Sequence, residues 1–278
     1  PSISQPMLDS YAVIGNPISH SKSPLIHKTF AQQTEQSMQY DALLAPLDGF
    51  QATVESFRQH GGKGMNVTVP FKLEAYQLAT RLTERATIAQ AVNTLKFEND
   101  EILGDNTDGA GLVRDIECNL GIPLAEKRIL LLGAGGAARG VILPLLQQNL
   151  SLLAIANRTP AKAAALQEQF NAYGNSVAGD FMHFADAHFD IIINATSASL
   201  HDALPEIPAG VFAQATLAYD MMYRQEPTRF LKFAQQNGAR QIADGIGMLV
   251  EQAAESFFLW RGIRPQTKPV IARLKSQI

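Results

Sequence analysis

Residues 128–140, RILLLGAGGAARG, constrain the fold more than any other stretch of the chain. Arg128 precedes four consecutive aliphatics, Ile129 to Leu132. Such a run suits a strand buried on both faces of a parallel sheet. It stops at Gly133-Ala134-Gly135-Gly136-Ala137-Ala138, a G-x-G-x-x-A match to the dinucleotide-binding turn. There Gly133 allows the tight bend, Gly135 lets the backbone approach a pyrophosphate, and Ala138 sits where a helix packs closely on the strand. Residues 136–147 read as that helix, with free N–H groups and a positive dipole end facing the pyrophosphate. Glycine serves any strand-to-helix turn, but here the flanking strand and helix are both readable, which favours the dinucleotide.

The ribose end of such a cofactor is read one strand later. Residues 152–156, LLAIA, form the second strand, followed by Asn157-Arg158-Thr159. A free ribose 2′-hydroxyl usually meets an Asp or Glu about 20 residues past the glycines. No acid falls between Leu152 and Ala165, whereas Arg158, Thr159 and Lys162 do. A guanidinium grips a phosphate through two parallel hydrogen bonds, and an ammonium adds charge. The plainer alternative makes Arg158 and Lys162 solvated residues at a helix start. With the glycines, the stretch points to NADP(H) over NAD(H).

The 278 residues suit one large or two ordinary domains, with 46% apolar and 18% charged residues, as in a soluble globular protein. The net charge of −3 and the lack of a long basic run argue against a nucleic-acid surface. Cys118 is the only cysteine, which excludes an internal disulfide and fits a reducing cytoplasm. Its setting, LVRDIECNL, suggests a buried or helical thiol. The start, PSISQPMLDS, lacks signal-peptide character. The uncharged stretch 140–157 is broken by Pro144, Gln147, Gln148 and Asn149, a poor membrane span. The six histidines are scattered without HExxH spacing, so no metal site is expected.

In chain order, YAVIG (11–15) reads as a strand turned out by Asn16-Pro17. Ser23 before Pro24 reads as a helix cap; Ser21 and Lys22 are not needed for that role and leave an anion site open. Residues 38–45 read as a strand and 47–60 as a helix stopped by Gly61-Gly62. In GMNVTVPFK (64–72), a strand places Asn66 and Thr68 on one face and Met65, Val67 and Val69 on the other. Lys72 falls near the following helix start, where the dipole disfavours it; a solvated lysine is the alternative. AVNTLKF (91–97) and EILGD (101–105) look like a hairpin, and Asp108 like a helix cap. Further strands are read at FDIIINATSAS (189–199), TLAYDMMY (216–223) and RQIAD (240–244), a helix at 226–236, and a last helix from near Gly247.

Nine motifs keep a common order: GNPISHSKSP (15–24), NVTVPFK (66–72), AVNTL (91–95), DNTDG (105–109), GAGGAARG (133–140), NRT (157–159), NATS (194–197), YDMMY (219–223) and DGIGMLVEQA (244–253). Together they resemble the shikimate dehydrogenase family along nearly the whole chain. The resemblance implies NADPH-dependent, reversible reduction of 3-dehydroshikimate to shikimate. It implies an α/β fold of two domains: a substrate domain, 1–109 plus 245–278, and a Rossmann-type NADP-binding domain, 110–244. The C-terminal helices would return to the first, with the substrate in the cleft between. Lys72 and Asp108 would be the catalytic pair. Ser21, Ser23 and Tyr219 would meet the substrate carboxylate, and Asn66, Thr68, Asn93 and Gln252 its ring hydroxyls. Gly133, Ala134, Gly135, Gly136, Ala137, Asn157, Arg158, Thr159, Lys162, Thr196, Gly245 and Met248 would hold the cofactor. The partner is a small molecule, with no nucleic acid or membrane, in a monomer or homodimer.

Two departures stand out. Ser199 occupies a position where the family commonly has glycine, and Arg229 follows Thr228 where Thr-Pro is common. Two other readings compete: an NAD-using quinate/shikimate enzyme, which an acid after Arg158 would favour, and a non-catalytic sensor of shikimate or NADP(H), which loss of Lys72 or Asp108 would favour. Neither feature is present.

Overall fold

The structure, a computed structural model, describes residues 7–277. The chain divides into two compact units at Thr107/Asp108; Val250–Val270 rejoins the first, while the chain from Ile271 onward groups with the second. The returning segment expected from sequence, 245–278, differs from this at both ends.

In the first unit, strands and helices alternate as β1 (Asp9–Gly15), α1 (Ser23–Thr34), β2 (Met38–Leu44), α2 (Phe50–Gln59), β3 (Gly62–Val67), α3 (Lys72–Leu78), β4 (Arg81–Leu82), α4 (Glu84–Ala89), β5 (Thr94–Glu98) and β6 (Glu101–Asp105). The strands form one sheet in the order β2-β1-β3-β5-β6-β4. β1 runs parallel to β2 and β3, and β5–β6 is the antiparallel hairpin read from sequence. The face assignment for 64–72 needs correcting. β3 ends at Val67, so the alternation stops there and Val69 is exposed rather than on the core face.

The second unit opens with α5 (Asp108–Arg114), which continues into a π-helical turn at Asp115–Asn119. Cys118 lies on that turn and is exposed, not buried. Then follow β7 (Arg128–Leu132), α6 (Gly136–Leu146), β8 (Leu152–Ala156), α7 (Pro160–Phe170), β9 (Ser176–Gly179), β10 (Ile191–Asn194), β11 (Leu217–Asp220), α8 (Arg229–Gln236) and β12 (Gln241–Ala243). These six strands form a wholly parallel sheet ordered β12-β11-β10-β7-β8-β9. Counted from its first strand, that is the 3-2-1-4-5-6 order of a dinucleotide fold, reversing between β7 and β10. Leu130, Leu132, Ala154, Ala156 and Ile192 pack in its core because both faces are covered.

Two helices close the chain, α9 (Ile246–Arg261) and α10 (Lys268–Gln277). The later turns of α9 are tied to the first sheet. Trp260 Nε1 donates to the Leu95 carbonyl at 3.0 Å, and Arg261 donates to Asp9 and Gln36 at 2.5 and 2.9 Å. Among the described residues, no helix is long and apolar enough to cross a membrane.

An aromatic cluster fills the space beneath this helix. The His27 ring lies 4.4 Å from the Tyr40 ring, nearly parallel to it, with Phe30, Phe257 and Trp260 around it. Burial, only partly opposed by the Asn66 side chain, pushes the His27 pKa from 6.5 down to about 3. The folded state therefore holds His27 neutral while the unfolded chain takes up a proton below pH 6.5. Stability is fully present above that pH and declines as pH falls toward 3, by up to about 1.4 kcal/mol per unit. His27→Phe is expected to flatten this slope. Urea unfolding of both proteins at pH 7, 6 and 5 measures it, and parallel slopes would exclude His27 as its source.

Candidate active site

The polar residues of the first unit gather where β3, β5 and the loop after β6 meet α9. Asn66, near the end of β3, accepts a hydrogen bond from the Tyr40 hydroxyl on Oδ1 at 2.7 Å. Its Nδ2 donates to Ser256 Oγ at 3.2 Å and Thr94 Oγ1 at 3.3 Å. Asn93 is bonded on every side. Its Oδ1 accepts from Thr94 Oγ1 at 2.9 Å and the Thr107 N–H at 2.8 Å. Its Nδ2 donates to Thr107 Oγ1 at 2.8 Å and Gln252 Oε1 at 3.3 Å. Asn66, Asn93 and Gln252, expected at ring hydroxyls, thus lie in one continuous network. Ser23 joins it through Tyr40.

Lys72 is the first residue of α3, and its carbonyl accepts from the N–H of Val92, next to Asn93. Thr68 is half-buried just beyond β3. The helix-start reading of Ser23 is corrected: α1 begins at Ser23 itself, with Lys22 at the cap and no capping side chain. Ser21 Oγ instead accepts the Ser23 N–H at 3.2 Å. The pyrrolidine of Pro24 still lies in the first turn, which needs no N–H donor there.

The loop after β6 is held from below. Asp105, 1% exposed, accepts from Arg85 at 2.7 Å on both oxygens and from Thr83 at 2.7 Å. Burial raises its pKa, yet the Arg85 bonds and charge outweigh that and hold the carboxyl below its ordinary value. Asp105 Oδ1 also accepts the Asn106 N–H at 2.8 Å, and Asn106 Nδ2 donates to the Ala91 carbonyl at 3.2 Å. Two strands' connections are thereby tied together.

In the second unit, Gly133 takes a φ of +112°, and a Cβ there would lie 3.0 Å from the Ala195 carbonyl oxygen. Only glycine fits, where the sheet order reverses. A Cβ at Gly135 or Gly136 would project into open space, and α6 starts with no capping side chain. This leaves a shallow cradle of N–H groups, flanked by Ala134 and Ala137, that fits a dinucleotide phosphate. Asn157 follows β8 and donates from Nδ2 to the Thr159 carbonyl at 3.1 Å, shaping the turn. Arg158, Thr159 and Lys162 are exposed beside it. An exposed cationic pair at a helix start suits a 2′-phosphate.

The Thr196 hydroxyl donates to Asn194 Oδ1 at 2.7 Å. A Cβ on Gly245 would collide with the Met221 carbonyl, so this glycine permits close packing. Met248 is half-buried on the first turns of α9. Asp108, buried, is the first residue of α5. Ser199, where the resemblance led to the expectation of glycine, donates to Asp220 Oδ2 at 2.6 Å, a bond glycine cannot make. Asp220 also accepts from Thr228 at 2.7 Å and from the Met222 N–H at 3.0 Å.

Tyr219 requires a correction. It lies within β11 and is fully buried, with its hydroxyl donating to Asp115 Oδ2 at 2.6 Å. Burial and the Asp115 charge push its pKa well above 10. That hydroxyl is buried and committed to Asp115 on the π-helical turn, which leaves it no proton for a carboxylate. Tyr223, the second tyrosine of YDMMY, lies past the strand and is only half-buried. The sequence reading also missed Tyr40, Arg85, Thr94, Thr107 and Ser256. Ser256 was recoverable from spacing, because i and i+4 on a helix share a face and Gln252 was already singled out.

Three family models match the chain: the shikimate dehydrogenase substrate binding domain over residues 13–95, shikimate / quinate 5-dehydrogenase over 117–203, and the shikimate 5′-dehydrogenase C-terminal domain over 245–275. A protein of Nitrosospira multiformis named shikimate dehydrogenase (NADP(+)) is 64% identical over 98% of this chain and 99% of its own. The chain belongs to the shikimate dehydrogenase family. Among solved structures, an Ael1 enzyme from Pseudomonas putida superposes with a TM-score of 0.91 at 53% identity, covering 96% of this chain and 98% of that one. Shikimate 5-dehydrogenase from Thermus thermophilus, in complex with NADP(H) and shikimate, gives 0.87 at 32% identity, covering 98% of this chain and all of that one (100%). The wholly parallel sheet and its glycine turn are thus those of a shikimate dehydrogenase cofactor domain.

Two outcomes follow from these placements. Arg158→Ala is expected to weaken NADP+ roughly ten- to a hundredfold, the value of one charge-assisted hydrogen bond, with NAD+ little changed. Fluorescence titration with both cofactors reads this, and equal weakening would give the arginine a structural role. Tyr219→Phe is expected to cost stability, about 1–3 kcal/mol for the stranded Asp115 oxygen, rather than shikimate affinity. Thermal melting and the Michaelis constant, measured on the same variant, separate the two.

Proposed function

We propose that this protein catalyses the reversible, NADPH-dependent reduction of 3-dehydroshikimate to shikimate. The observation that carries the reading is the neutral network joining Asn66, Asn93 and Gln252, in a chain whose 64% identical relative is named shikimate dehydrogenase (NADP(+)). Amides and hydroxyls fixed in this way read a polyhydroxylated ring by matching donors to acceptors. A mismatched ring leaves buried groups unpaired, so discrimination is steep.

When bound, NADPH supplies the hydride that adds to the C3 carbonyl carbon. Negative charge then builds on the carbonyl oxygen, and a proton must reach it. Lys72 supplies a cation or that proton at the oxygen, and Asp108 is its partner in handling the proton. Thr68 joins Asn66, Asn93 and Gln252 in holding ring hydroxyls. Ser21 and Ser23 receive the carboxylate, without Tyr219, whose hydroxyl is bonded to Asp115. The glycine turn takes the pyrophosphate, while Arg158 and Lys162 take the 2′-phosphate. Asn157, Thr159, Thr196, Gly245 and Met248 would complete the hold on the cofactor. The absence of an acid after β8 favours this reading over an NAD-using quinate/shikimate enzyme. The presence of both Lys72 and Asp108 favours it over a non-catalytic sensor.

The direct assay follows NADPH absorbance with shikimate and quinate, each against NADP+ and NAD+; shikimate with NADP+ is expected to be the efficient pair. Lys72→Ala should lose about 10²–10⁴ in kcat while still binding shikimate and NADP+. Combined with Asp108→Ala, the loss should fall well short of the product of the single losses. Near wild-type turnover in Lys72→Ala would remove the lysine from the mechanism.

A further inference from the structure

We infer that Ser256, on α9, closes a directional ring of hydrogen bonds that sets the orientation of the substrate-reading amides, and so acts as a positioning residue for substrate recognition. The inference rests on the proposed substrate role of Asn66, Asn93 and Gln252. Its members are Asn93, Thr94, Thr107 and Ser256, all at most 3% exposed.

Direction follows from the one atom whose role is not negotiable. The Thr107 backbone N–H can only donate, so the Asn93 atom facing it at 2.8 Å is the carbonyl oxygen, Oδ1. That oxygen can only accept, so the Thr94 hydroxyl at 2.9 Å gives it its single proton. Thr94 Oγ1 then has only lone pairs left for Ser256 Oγ, 2.8 Å away, and Ser256 must donate there. Having used its proton, Ser256 accepts from Thr107 Oγ1 at 3.1 Å. Thr107 Oγ1 in turn accepts from Asn93 Nδ2 at 2.8 Å, which closes the circle. The competing contacts are longer: Thr107 Oγ1 to Gln252 Oε1 at 3.4 Å, and Ser256 Oγ to the Gln252 carbonyl at 3.2 Å.

In such a ring each hydroxyl donates to one neighbour and accepts from the other, and each bond polarises the next. Reversal would need Asn93 to turn its amide, placing Nδ2 against the Thr107 N–H, donor against donor. The ring therefore locks the amide. It also orders the neighbouring reader. Ser256 Oγ accepts from Asn66 Nδ2 at 3.2 Å, which keeps Oδ1 of Asn66 turned to the Tyr40 hydroxyl. Asn93 Nδ2 likewise holds Gln252 Oε1 at 3.3 Å, orienting the third amide. A hydroxyl that need never touch the substrate thus governs which face of three amides meets it.

The test uses Ser256→Ala, Thr94→Val and the double variant in the full-length protein. Shikimate and NADP+ affinities are measured by titration calorimetry, and melting temperatures are recorded alongside. Each single change is expected to weaken shikimate about tenfold and leave NADP+ unchanged. The double variant should be no worse than the weaker single one, because a ring opens only once. Ser256→Cys, which keeps a weak donor and acceptor, should recover part of the affinity. Multiplicative losses, or shikimate affinity unchanged in both single variants, would overturn the ring. If Ser256→Ala does not fold, Thr107→Val replaces it, and the same non-additivity with Thr94→Val is required. Asn93→Ala and Gln252→Ala are run as controls. Weakening of shikimate by these, but not by Ser256→Ala, refutes the ring alone. No effect from any of them refutes the substrate-site reading and the ring with it.

Discussion

Leaving a buried amide or carboxylate unpaired costs more than a formed hydrogen bond returns, and the strand ends of both units are arranged around that asymmetry. In the first sheet, Asn66 near the end of β3 and Thr94 at the start of β5 are buried side by side and satisfy each other. In the second, Asn194 and Asp220 end β10 and β11 in register, and Asn194 Nδ2 reaches Asp220 Oδ1 at 3.4 Å. Buried away from water, these polar groups must find their partners within the protein, and Tyr40, Ser256, Ser199 and Thr228 supply the rest. The resulting networks are rigid, and rigidity at the strand ends is what a binding site needs.

The two units solve the problem differently. The first surrounds its strand ends with neutral groups: amides, threonines, Ser256 and the Tyr40 hydroxyl. One of its buried carboxylates, Asp105, is compensated by the two-pronged Arg85 contact and Thr83. Those bonds anchor the loop that carries Asn106 and Thr107. The second unit places a carboxylate directly behind its loops. Asp220 is fully buried and gathers Ser199, Thr228, Asn194 and the Met222 N–H. Ser199 adds a donor to that carboxylate.

The cofactor turn was legible because its requirements are local. A left-handed φ at Gly133, bare backbone at Gly135 and Gly136, and a following helix are all properties of neighbouring residues. The hairpin of β5 and β6 was legible for the same reason. Tyr219 was misread because a motif letter does not say which way a side chain points. In YDMMY the first tyrosine lies inside β11 and is turned toward Asp115, while the second lies beyond the strand. Ser23 was misread by one position, since a serine before proline marks a helix start without saying whether it caps the helix or begins it. Val69 was misread because periodicity continues on paper past the residue where the strand stops.

What the sequence determined by itself was the inventory: two α/β units, a dinucleotide turn, a phosphate-compatible stretch after β8 and, only through the resemblance its motifs carry, a set of neutral hydroxyls and amides for a hydroxylated ring. These depend on composition, on short-range spacing and on motif order. The tertiary structure alone decided which of those groups share protons. Asn93 and Ser256 are far apart in the chain, and nothing in either neighbourhood announces the other. Only when α9 lies against β5 does its one buried serine complete the circle through Thr94 and Thr107. Hydrogen-bond direction depends on distances of about 3 Å between side chains from separate elements, a scale that packing sets and sequence spacing does not.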